Sequence, residues 1–209
     1  MKEIPLFPLN IVVFPGEDLN LHIFEPRYKQ LVKDCIEQQI NFGIPSFVLN
    51  KIELGTEVAI VEVVKEYEDG RLDIRTKAQE VFLVNDYWNP WGDKLYAGGE
   101  VELLDQGNQR TDINLLIKMK GLANQLFTWL QDVNPPDISA ANSAFDIGHK
   151  IGFKLEEEYE LLRLTDENDR LRFTIKHLEQ LLPALERAQF AQERIKQNGH
   201  FKHLDPLKF

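Results

Sequence analysis

The sequence predicts an α+β protein with a β-rich region over residues 1–108 and an α-helical region with a long final helix over residues 109–209. Three observations predict it. Apolar residues alternate with polar ones in several short runs before residue 105, the period of half-buried strands. Asp69-Gly70 stands between two such runs, a strong hairpin signal. After Asp105-Gln106-Gly107-Asn108 the apolar residues recur at helical spacing instead.

The elements follow in order. Ile11 to Phe14 is a β-branched run closed by the turn pair Pro15-Gly16. Leu19, Leu21 and Ile23 alternate with Asn20 and His22, giving a strand that Glu25-Pro26 breaks. Pro26 suits the first turn of a helix reaching about Gln39, with Tyr28, Leu31, Val32, Cys35 and Ile36 inward and Glu25 placed to accept its first amides. Phe42 to Leu49 reads as a strand with an irregular middle at Gly43 and Pro45. Thr56 to Val64 alternates, and Leu72 and Ile74 continue the return strand beyond the Asp69-Gly70 turn. Val81 to Val84 and Leu95 to Leu104 are two further strands.

In the second region, Asp112 to Leu130 carries an amphipathic stripe that ends before Pro135-Pro136. Helical stretches follow over 137–149 and, with an acidic face, over Leu155 to Leu162. Thr165 and Asp166 are placed to cap a helix over 167–196, whose seam is Leu171, Ile175, Leu178, Leu182 and Leu185. Pro183 lies inside it and is expected to kink it.

Composition excludes several functions. The chain has 209 residues, 24 basic and 34 acidic side chains, and a formal charge of −10. Residues 1–108 hold ten basic and nineteen acidic groups, so that half alone carries −9. Nucleic acid and anionic membrane are not expected partners of such a surface. One cysteine, Cys35, leaves no disulfide framework and reads as a buried structural thiol. Pro5, Pro8 and Pro15 interrupt the N-terminal apolar run, no signal peptide is read there, and a cytoplasmic protein is expected.

Chemistry-bearing clusters are sparse. His22 falls on the polar side of a strand, His149 near a helix end, and His177 on the outward side of the long helix. His200 and His203 have H-x-x-H spacing without a clear third ligand, so no metal and no cofactor are expected. Glu156-Glu157-Glu158 reads as a solvated helix face. Tyr87-Trp88-Asn89-Pro90-Trp91-Gly92 concentrates aromatics in a segment broken by proline and glycine, read as a loop. Exposed rings of this kind are enriched in binding hot spots, so Tyr87, Trp88 and Trp91 form the candidate peptide-binding site. The competing reading packs both indoles over the end of the β region as a plug. A groove between the β region and the helices is the second candidate.

Leu6-Phe7-Pro8-Leu9, Phe14-Pro15-Gly16 and Ile23-Phe24-Glu25-Pro26-Arg27-Tyr28, in that order and spacing, resemble the opening of the N-terminal substrate-binding domain of Lon proteases. Phe42-Gly43, Gly55-Thr56 and Asp69-Gly70-Arg71-Leu72 fit the strands that follow. Ala78 and Val81 depart from that family's Gly-x-x-Arg-Phe pattern, while Phe82 is retained. The resemblance implies a PUA-like pseudo-barrel followed by a helical bundle. It implies binding of unfolded or client polypeptide, with delivery to a separate protease as the finer expectation. No G-x-x-x-x-G-K-[ST] phosphate loop is present, and 209 residues are expected to leave no room for the ATPase and peptidase domains of full-length Lon. The expected protein is therefore no enzyme. A hydrolase with a site assembled from dispersed residues is the alternative.

Overall fold

A computed structural model describes residues 1–48, 51–107, 110–130 and 135–199. Its strands are β1 (Lys2–Leu6), β2 (Asp18–Ile23), β3 (Phe42–Pro45), β4 (Leu54–Glu66), β5 (Leu72–Trp88) and β6 (Ala97–Leu103). The helices are α1 (Pro26–Gln38), α2 (Ile113–Trp129), α3 (Leu155–Arg163) and α4 (Glu167–Gly199), with a 3-10 helix over Phe145–Lys150.

The strands join one mixed sheet in the order β2-β5-β4-β3-β1-β6, and a β5–β6 pairing closes it on itself. Among the described strands only β1 and β3 run parallel, at Leu6 and Gly43, and a parallel bridge between Leu9 and Ser46 extends their course. Closure depends on the length of β5. Its first part pairs with β2 (Ile23 with Leu72 through Asp18 with Lys77), and its last part pairs with β6 (Phe82 with Leu103 through Trp88 with Gly98). The two separate strands expected at Leu72 and at Val81 are thus one continuous strand. Tight packing makes the turn of the barrel possible. A side chain on Gly43 or Gly55 would meet the Phe82 ring within 2.8 Å, so that ring lies across bare backbone at both positions.

Several expectations are corrected. Ile11 to Phe14 is no strand, although Val12, Val13 and Phe14 are buried. Its polar backbone is satisfied by side chains instead: Phe14 N–H donates to Glu17 and Val13 C=O accepts from the Thr56 hydroxyl. Residues 137–149 form no helix beyond the 3-10 turn at Phe145. Ile36, expected inward on α1, is exposed. Glu25 does not cap α1 through its side chain; its carboxylate receives Arg27 at 2.8 Å instead. Other caps form as read: Asp112 accepts from Asn114 N–H, and Asp166 from Asn168 and Asp169 N–H. Leu171, Ile175 and Leu178 of the α4 seam are buried, with Leu182 and Leu185 packed against them. The helix continues through Pro183.

Two large apolar clusters hold the molecule. One lies between α1 and the sheet and contains Ile23, Tyr28, Leu31, Val32, Cys35, Val58 and Ile74. The other joins Val12, Phe14, Val48, Leu54 and Val81 to Met119, Phe127, Ile147, Leu161, Leu171 and Leu178. Packing therefore crosses the sequence boundary at residue 108. Arg170, buried, adds a polar tie across it: it donates to Gln106 and to Leu164 C=O, both at 2.7 Å, and to Glu167 at 2.8 Å.

Candidate functional site

The aromatic segment begins in a strand, not in a loop. Tyr87 and Trp88 are the last residues of β5, and only Trp91 lies in the turn beyond it. Consecutive strand residues face opposite ways, so Tyr87 and Trp88 serve two different surfaces flanking the end of β5.

On one flank, Trp88 and Trp91 stack with ring centroids 6.4 Å apart. Trp91 in turn meets Tyr96 edge-on at 6.3 Å and lies directly over Gly98, where a Cβ would come within 2.3 Å of the indole. The turn is pinned to α1. Lys94 and the Tyr96 hydroxyl both donate to Asp34, at 2.9 and 2.8 Å, and Leu95 N–H donates to Gln30 at 2.8 Å. Burial alone would raise the Asp34 carboxyl, but the hydrogen bonds from Lys94 and Tyr96 outweigh it and hold it below its usual range. Trp91 is thus half-buried against the α1 cluster and Trp88 half-buried upon it. Neither indole is exposed or fully buried: Trp91 packs over Gly98 and Trp88 stacks on Trp91.

On the other flank, Tyr87 lines a hollow of about 270 Å³ with Pro8, Asn10, Arg27, Tyr28, Phe47, Ile52, Asn89 and Ala97. Arg27 lies over the Tyr28 ring at 4.5 Å while its guanidinium is held by Glu25. Burial pushes both phenols above their ordinary range, partly opposed by the nearby Arg27 charge. The hollow offers aromatic and aliphatic walls, two carboxamides and an oriented guanidinium, a set suited to side chains and backbone of a polypeptide. Sequence reasoning found Tyr87 but missed Phe47, Ile52 and Asn89 as its neighbours. Four chain segments, at residues 8–10, 27–28, 47–52 and 87–97, meet there, and no local pattern marks that meeting.

The second candidate, the groove between the β region and the helices, is also formed. Ile11, Val12, Val13, Leu19 and Leu155 line about 470 Å³ together with Glu17, Asp18, Glu158 and His149. His149 Nε2 lies 3.0 Å from Glu17 and Nδ1 lies 2.7 Å from Glu158. A neutral imidazole has one N–H, so facing two carboxylates favours the doubly protonated ring. The bond to Glu17, then that to Glu158, outweighs burial and raises this histidine to about 9. Glu158 is accordingly no solvated charge, and the expected fully solvated face over 156–158 holds only in part. His177, expected to face outward, is half-buried with Nε2 3.1 Å from Ile151 C=O. His200 and His203 lie outside the described residues. Among the described residues no group of three His, Cys, Asp or Glu is placed to hold a metal, and no helix is long and apolar enough to cross a membrane.

Comparison with known proteins fits this geometry. The chain resembles the crystal structure of a Lon N-terminal domain protein from Xanthomonas campestris, with a TM-score of 0.64 and 24% identity over 88% of this chain and 98% of that one. It also resembles the N-terminal domain of the Mycobacterium avium complex Lon protease, with a TM-score of 0.61 and 14% identity over 85% and 98% of the two chains. No curated protein matches. At these identities the structures establish the fold. The match that assigns the family spans residues 3–180, from β1 into α4: this chain belongs to the family of the ATP-dependent protease La (LON) substrate-binding domain.

Proposed function

We propose that the protein binds protein or peptide substrates without transforming them, engaging extended or unfolded polypeptide at the end of β5. Family membership supports a substrate-binding role. The observation that carries the site is the pairing of two surfaces across one strand end: the hollow with Tyr87, Tyr28, Phe47 and Arg27, and the stacked Trp88 on the other side. A flexible chain crossing the strand end can place one residue in the hollow and another on the indole. The turn carrying Trp91 is fixed to α1 by Lys94, Leu95 and Tyr96, so the surface is largely pre-formed and ordering costs fall on the client. Delivery of the bound client to a separate protease is the role this activity would serve.

The hydrolase reading gains no support. His149, the most perturbed histidine, is occupied by two carboxylates, and among the described residues no serine, threonine or cysteine side chain hydrogen-bonds to it.

The test is affinity for a fluorescently labelled, permanently unfolded model protein, measured by anisotropy. The changes Tyr87→Ala and Trp88→Ala together are expected to weaken binding by at least ~2 kcal/mol, the scale of a hot spot. Unchanged affinity in a folded double variant overturns this placement of the site.

A further inference from the structure

The closed barrel leaves part of β4 outside it. β3 pairs only with Gly55 to Val58 of β4, whereas β4 runs on to Glu66 with β5 as its one partner. From Ala59 to Glu66, then, one edge of β4 has no strand beside it among the described residues. Alternate N–H and C=O groups on that edge face outward, a template for another extended chain. The edge faces the C-terminal end of α1 across a groove of about 420 Å³. Ile36 and Ile40 on the helix side and Val61, Val63 and Val64 on the strand are between 39% and 59% exposed. β2 provides the contrast, because its own outer edge is also unpaired. It presents Asp18, Asn20 and His22 as its exposed residues, a polar guard of the usual kind.

The geometry points to the β4 edge as a second polypeptide-binding surface, which takes an extended apolar segment interspersed with basic residues as an added strand. Backbone pairing explains why the occupant is extended, and the exposed valines and isoleucines explain why its alternate side chains are apolar. Charge selects the basic residues. Glu66 and Glu68 stand at the hairpin end with no described cation within salt-bridge distance, whereas Glu62 and Glu37 beside the groove are already paired, with Arg75 at 3.1 Å and Lys33 at 3.8 Å. The residues 1–108 carry −9 in all. Register shifts at Ile60/Glu62 and Val63/Lys65 twist this stretch of β4. Such irregularities limit how far a strand can pair, so the added segment is short and the binding transient. This surface rests on the polypeptide-binding reading but is separate from the end of β5.

The probe is a soluble peptide of alternating valine and lysine, tested against the full chain by amide hydrogen exchange and by titration. Binding is expected to slow exchange at residues 59–66 at least tenfold. N-methylating alternate backbone amides of the peptide, which blocks one pairing edge, is expected to weaken binding at least tenfold. Val63→Lys with Ile36→Lys, both exposed positions, is expected to do the same while the melting temperature holds. Trp88→Ala is expected to leave this peptide's binding unchanged, which separates failure here from failure at the end of β5. Equal affinity for the N-methylated peptide, protection mapped elsewhere, or no binding overturns the inference. So does protection at 59–66 that rises with protein concentration alone, which would assign the edge to a second copy of this chain.

Discussion

Raising the pH from 6 to 10 is expected to remove a measurable part of the tie between the β region and the helices, through His149. The folded protein holds this imidazolium between Glu17 and Glu158, raised to about 9 against an ordinary 6.5. A group raised on folding contributes its stability fully below the unfolded value, and loses it as pH rises through the folded one. The window is therefore about 6.5 to 9. Taken whole, a shift of that size corresponds to ~3 kcal/mol at ~1.4 kcal/mol per unit. The ring is 37% exposed, so solvent screening cuts this to ~1–2 kcal/mol. Urea denaturation of the wild type and of His149→Gln across this range isolates the effect, because other titrations cancel in the difference. The wild type is expected to lead by ~1–2 kcal/mol more at pH 6 than at pH 10, with a residue at high pH from the ring packed on Phe14 at 4.6 Å. A difference that is flat with pH, or grows toward pH 10, refutes the reasoning.

Trp91→Ala is expected to cost ~2 kcal/mol of stability, as befits a half-buried ring over Gly98, and Trp88→Ala less than ~1 kcal/mol; equal losses in thermal melts would contradict the inner and outer placement of the two indoles. Cys35, pushed up to about 12 chiefly by burial and further by Asp34, is expected to resist a thiol reagent at pH 8 until denaturant is added. Rapid labelling of the native protein would show that α1 lifts from the sheet. Gly55→Ala is expected to destabilise by ~1–3 kcal/mol in urea titrations, since the added methyl would lie 2.6 Å from Ile44 O and Pro45 Cα, backbone atoms that cannot rotate away. A neutral outcome would mean that the β3–β4 pair is looser than this packing.

Where local chemistry decided the structure, the sequence was readable. Asp69-Gly70 makes the β4–β5 turn, with Gly70 at φ 77°, and Pro26 opens α1. Asp112 and Asp166 cap as their spacing suggests. Misreadings arose where a distant partner decided. β1 begins with Lys2 and Glu3 and shows no strand period, yet β6 and β3 give it two neighbours. Lys77 to Glu80 looks like a break, but there β5 keeps β4 on one side and exchanges β2 for β6 on the other. Over 137–149 Ile138, Ala141, Ala144, Phe145 and Ile147 are buried, while Asp137 and Asp146 accept backbone amides from Ser139, Asn142 and Ser143. Those bonds compete with a helix and win. The candidate site was legible to the same degree: the aromatic residues stood out by type, whereas their division between two faces required knowing that β5 runs to Trp88.

The motif that marks the family bears on where specificity lies if the proposed site binds polypeptide. Leu6, Phe7, Phe14, Ile23 and Tyr28 are all buried, in clusters that close the barrel, seat α1 or receive the helices. Phe14 alone stacks on Phe145 at 5.0 Å and supports His149, so its Pro-Gly turn serves the junction. These residues define a frame, and a frame does not choose a client. Of the conspicuous opening residues, Pro8, Arg27 and Tyr28 line the hollow; its remaining polar and aromatic wall comes from Asn10, Phe47, Tyr87 and Asn89. Substitutions at those wall positions can alter what is bound while leaving the buried motif, and hence the fold, intact. Recognition in this chain is thus expected to vary with the end of β5 and the segments beside it, and less with the buried residues by which the family is recognised.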